Sequence, residues 1–75
     1  MKKSMYKELM AYCRATIEDF DLYESLALKR IDRLRCPLSM ACPELYDEMA
    51  SAIEDWGWDN DVDVSEIDPE DVFWE

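Results

Sequence analysis

The chain has 75 residues, a formal net charge of −11 at pH 7 and 49% apolar residues, with four Tyr, three Trp and two Phe among them. This length allows one domain around one core, since only about 60% of the unfolded surface is buried at such a size, and the apolar and aromatic content argues against wholesale disorder despite the charge. Having no histidine removes the usual general base near neutral pH and the commonest metal ligand, a lone glycine removes Gly-rich phosphate loops, and the net charge opposes direct binding to nucleic acid.

The first element is a helix over about 4–19 capped by Ser4. Met5, Tyr6, Leu9, Met10, Cys13, Ile17 and Phe20 fall within about 140° at 100° per residue, with Lys7, Glu8, Arg14, Glu18 and Asp19 outside that arc. Asp21 followed by Glu24 has the spacing of a capping box and opens a second helix over about 21–35. Tyr23, Ala27, Ile31 and Leu34 share one face, while Leu22, Leu26 and Leu28 lie off it. An apolar girth that wide predicts the central helix of the domain. Lys29, Arg30, Arg33 and Arg35 gather in its last turns, where cations complement the negative end of the helix dipole, and Pro37 stops it.

The link between Cys36 and Pro43 admits a short helical turn beginning at Pro37, and Pro43 suits the first position of a third helix over about 43–56. Its apolar arc is Leu45, Tyr46, Met49, Ala52, Ile53 and Trp56, and Gly57 is its expected stop. Glu44, Asp47, Glu48, Glu54 and Asp55 lie on nearly the opposite arc, within about 120° of one another. Beyond Gly57, alternation over 59–64 suggests a short strand or extended arm, and Asp68 before Pro69 and Asp71 reads as the capped start of a last helical turn. The expected fold is therefore mainly all-α, a small three-helix domain with an acidic, partly extended arm over 57–75.

No apolar run approaches the roughly 18 residues of a membrane span, and no signal peptide is legible at the start. Cys13, Cys36 and Cys42 are odd in number and form no CxxC pair, which argues for a reducing compartment and hence the cytoplasm. Cys13 falls on the apolar arc as a small core residue, and Cys36 and Cys42 read as structural thiols in preference to a redox pair. Paired carboxylates need a cleft to separate their pKa values, and so small a domain offers little, so neither catalysis nor a cofactor is expected.

Charge is segregated along the chain. All eight basic residues lie in the first 35 positions, and the 39 residues from Pro37 onward carry thirteen Asp or Glu with no Lys or Arg. Solubility alone is normally met with mixed signs, so a one-signed half points to a positive partner. The candidate partner-binding residues are Glu44, Asp47, Glu48, Glu54 and Asp55 on the helix, continued by Asp59, Asp61, Asp63, Glu66, Asp68, Glu70 and Asp71. Trp56, Trp58, Phe73 and Trp74 lie in the last twenty residues, where they close a small core if the arm folds back, and Trp58 or Trp74 is the candidate aromatic anchor if it stays partly exposed. At two or three acids per turn, the face approaches the charge density of duplex DNA. The expected partner is a basic, nucleic-acid-binding protein, met by an inhibitor or adaptor of DNA-mimic type. In size and charge alone this is analogous to anti-defence proteins of phages and mobile elements.

Two alternatives stand beside that expectation. The spare leucines of the second helix suit a structural or assembly protein that oligomerises through it. Asp59, Asp61, Asp63, Ser65 and Glu70 also follow the ligand order of a twelve-residue calcium loop, although Val64 stands where that loop needs glycine and Pro69 disturbs the exiting helix.

Overall fold

The computed structural model describes residues 2–74 and contains five helices: α1 (Lys2–Thr16), α2 (Phe20–Leu34), α3 (Leu38–Ala41), α4 (Pro43–Asn60) and α5 (Pro69–Phe73). Among the described residues there is no strand. The domain is all-α, as its composition implies, with the short turn after Pro37 and the last helix after Asp68 where the proline and capping signals place them.

Helix ends differ from the periodicity in three of the helices. Ser4 lies inside α1 and does not cap it. That helix also stops at Thr16, three residues short of the expected end, because β-branched Thr16 and Ile17 lead into a turn in which Asp19 adopts φ 58°. Asp21 lies within the first turn of α2, so the capping box does not form, and the Glu24 carboxylate instead receives both guanidinium nitrogens of Arg14 at 3.1 and 2.7 Å. Arg35 ends α2 at φ 55°, its N–H donating to the Ile31 carbonyl at 2.8 Å.

Helix α4 makes the third and largest departure. It runs through Gly57 to Asn60 and is closed by Asp61 at φ 54°. The Val62 N–H reaches back to the Gly57 carbonyl at 2.9 Å and the Asp61 N–H to that of Trp58 at 3.4 Å, the paired bonds of a Schellman closure. Gly57 is buried because the following chain folds back over it: a Cβ there would lie 2.8 Å from Val64 Cγ2 and 2.9 Å from the Val62 carbonyl oxygen. The glycine permits a close crossing and does not terminate the helix.

The core confirms Cys13 as a packing residue and moves the centre of the domain from α2 to α4. Helix α4 contacts each of the other four helices. It buries Leu45, Met49, Ala52, Ile53 and Gly57, against Leu9, Met10, Cys13 and Ile17 from the first helix and its exit. Helix α2 buries only Phe20 and Ala27, leaving Leu22, Leu26, Leu28 and Leu34 exposed. Its wide apolar girth is thus not enclosed within the monomer.

The region expected as an extended arm packs back on the bundle. Val64 and Ile67 lie against the core, and α5 contributes Pro69, Val72 and Phe73 to the interior while contacting α1 and α4. The alternation over 59–64 does not produce a strand because its first two residues continue α4, and Asp61 then turns the chain. No helix among the described residues is long and apolar enough to cross a membrane.

Candidate protein-interaction face

Lengthening α4 to Asn60 rebuilds the candidate site. At 100° per residue Glu44, Asp47, Glu48, Ser51, Glu54, Asp55, Trp58 and Asp59 share an arc of about 140°, and all are exposed. The same helix buries its other side, so this arc faces outward as a rigid stripe about 22 Å long. Its six carboxylates give about one charge per 4 Å, close to the 3.4 Å spacing of phosphates along a single DNA strand and roughly half the axial density of a duplex. The stripe is therefore sparser than two or three acids per turn.

None of these carboxylates is neutralised by a cation among the described residues. The ion pairs there join Arg14 to Glu24 and Asp21, at 2.7 and 3.9 Å, where α1 meets α2. Among the described residues the basic end of α2 pairs with no carboxylate of the acidic half either. Arg30 donates to the Ala41 carbonyl at 2.9 Å, satisfying the end of α3, and Lys29, Arg33 and Arg35 are exposed.

Acids beyond Asp59 divide into free and engaged groups. Asp61, Glu66 and Asp71 are exposed, and Asp61 closes α4 through its backbone. Asp63 accepts the Ser65 N–H at 3.0 Å, which holds its carboxyl below the usual carboxylate range against a smaller opposing effect of desolvation. Asp68 caps α5 by accepting the Glu70 N–H at 2.9 Å and takes the Tyr46 hydroxyl at 3.3 Å. Desolvation, and then the charge of Asp68, push that phenol above its ordinary value. Glu70 is half-buried and its oxygens are committed, Oε1 to the Leu38 N–H at 2.9 Å and Oε2 to the Trp74 indole N–H at 3.0 Å. Its chemistry ties α5 to the start of α3, so it is withdrawn from any free surface.

The two candidate anchors separate on the same grounds. Trp74 is 52% exposed, its N–H is held by Glu70, and its ring stands edge-on to Phe73 with centroids 5.0 Å apart. Trp58 is 84% exposed and stands within the acidic stripe, beside Glu54 and Asp55 at helical spacing. Trp56 packs against the core as expected. A helix ending at Gly57 leaves Trp58 outside the stripe; because α4 continues to Asn60, Trp58 keeps the helical phase of the acids.

The calcium alternative loses its geometry. Among the described residues no group of three or more Asp, Glu or Cys is placed to hold a metal ion. Asp59 belongs to α4, Asp61 closes it, and Glu70 is bonded to Leu38 and Trp74, so the sequential ligands point to different tasks. Cys13, Cys36 and Cys42 are free thiols, and burial pushes Cys13 up to about 11. The chain matches no protein-family model, no curated protein and no solved structure.

Proposed function

We propose that the protein is a small non-catalytic inhibitor or adaptor that lays the acidic face of α4 onto a basic, nucleic-acid-binding protein, as a DNA mimic does. The observation that supports this reading is the exposed stripe from Glu44 to Asp59, whose carboxylates have no cation partner among the described residues. A one-signed face on a rigid helix steers association with an opposite field and disfavours partners of like charge. Asp61, Glu66 and Asp71 extend the field at its end, with Trp58 as the aromatic contact. The size and charge suit an anti-defence protein of a phage or mobile element, acting in the cytoplasm.

Capture from a source lysate tests the reading. Nucleic-acid-binding proteins are expected on the wild-type protein at low salt, released by salt and by competing duplex DNA. The Glu44→Gln/Glu48→Gln/Asp55→Asn variant is expected to retain none of them. Retention unchanged by these substitutions or by the competing DNA contradicts the proposal.

A second reading has its own observation. Leu22, 69% exposed, and Leu26 are neighbours at i, i+4 on α2, an apolar pair that self-association would cover. In that reading Leu22→Asp/Leu26→Asp converts an oligomer into a monomer on a sizing column, and a wild-type monomer ends it.

A further inference from the structure

The return of the chain over Gly57 leaves an open, shallow cleft of about 490 Å³ at the end of the acidic stripe. One wall is α4, presenting Glu54 and the indole of Trp58; the other is the returning segment, with Asp61, Asp63 and Val64. Gly57 forms the base, where the two walls approach too closely for a side chain. The cleft is therefore lined by an exposed tryptophan and three acidic residues, with no cation in ion-pair contact with them among the described residues.

We infer that this cleft is a receptor for an arginine side chain of the partner, the guanidinium lying over the Trp58 ring and bonding to the carboxylates around it. The inference rests on the proposed docking of the acidic face and names the residue type that anchors it. Charge complementarity selects a cation, because an anion or a neutral polar group would meet three negative charges. The indole selects among cations: tryptophan is the best aromatic face for cation binding, and a planar, weakly hydrated guanidinium both stacks on it and bonds to carboxylates in a fork. Asp63 accepts the Ser65 N–H at 3.0 Å, which stabilises its charged form and holds its carboxyl below its ordinary value. Apolar Val64 borders the site and suits the methylene stem of the incoming side chain.

The test needs no protein partner, so it can fail while the stripe reading survives. N-acetylarginine amide is titrated into the full chain at low salt while the three indole N–H resonances are followed by NMR. Lysine and citrulline analogues serve as the comparison probes. Trp58 is expected to shift saturably with the arginine probe, several-fold more tightly than with lysine and not at all with citrulline, while Trp56 and Trp74 stay still. Glu54→Gln/Asp61→Asn should weaken the arginine probe about tenfold without changing the far-ultraviolet spectrum. Lysine bound as tightly as arginine, an equal response to neutral citrulline, no response at Trp58, or affinity unchanged in the double variant each overturns the inference. If arginine binds here while Glu44→Gln/Glu48→Gln/Asp55→Asn leaves partner capture intact, the cleft stands and the stripe falls.

Discussion

Gly57 lies inside α4 at the point where the chain crosses back, and Asp61 turns that chain at positive φ. Glycine to alanine in an exposed helix normally gains about 1 kcal/mol, but here the new methyl must displace Val64 and the Val62 carbonyl. Overpacking of that kind costs about 1–3 kcal/mol, so Gly57→Ala is expected to lower stability in urea denaturation and to disturb the Trp58 cleft. Asp61→Gly should act oppositely, gaining roughly 0.5–1 kcal/mol by relieving the left-handed conformation. Thiol chemistry divides by burial: Cys36 should react first with a disulfide reagent, and Cys13, raised to about 11 in an apolar site, only as the domain opens. Fast labelling of Cys13 in the folded protein would contradict the packing. Asp63 has its folded pKa below the ordinary value of 3.8, so its contribution is present above that value and lost as pH falls through the lower folded one. Asp63→Ala should therefore flatten the acid limb of the stability profile.

Helix α5 depends on one side chain. Glu70 satisfies the Leu38 N–H at the start of α3 and the Trp74 indole N–H, so its loss leaves one partly buried donor without a partner and frees an exposed one. Glu70→Ala is expected to cost about 1–3 kcal/mol. Gln at this position should recover part of that, since its amide oxygen replaces one acceptor while its NH₂ cannot replace the other. Equal stability of the wild type and both variants would remove the latch. This element also shows what was legible in the sequence. The Asp68-Pro69 start of α5 and the Pro43 start of α4 are local signals, and local hydrogen bonding and fixed φ decide them. The end of α4 was not legible, because the role of Gly57 depends on Val64 arriving from elsewhere. Nor was the rank of the helices, because the apolar girth of α2 does not reveal how many neighbours will cover it. On the stripe, Glu44 to Asp55 followed from periodicity alone, whereas Trp58 and Asp59 joined only once the helix was known to continue.

At the scale of the whole molecule, eight cations and six acids share the first 36 residues, and thirteen acids occupy the rest. Among the described residues ion pairing does not mix the two populations: Arg14 satisfies acids of its own half, and α4 keeps its charges outward. Unscreened repulsion within the acidic half weakens the folded state, while the same field attracts a cationic partner. Salt should therefore act in opposite directions on folding and on binding, raising the thermal midpoint of the free protein and lowering its affinity for the partner. The central claim, that the face of α4 makes the contact, is tested most directly by titrating a captured partner with wild type and with Glu44→Gln/Glu48→Gln/Asp55→Asn over a range of salt. The account predicts an affinity about a hundredfold lower for the variant and a shallower salt dependence, with the fold unchanged. Equal affinity and an equal salt slope for the two proteins would contradict it.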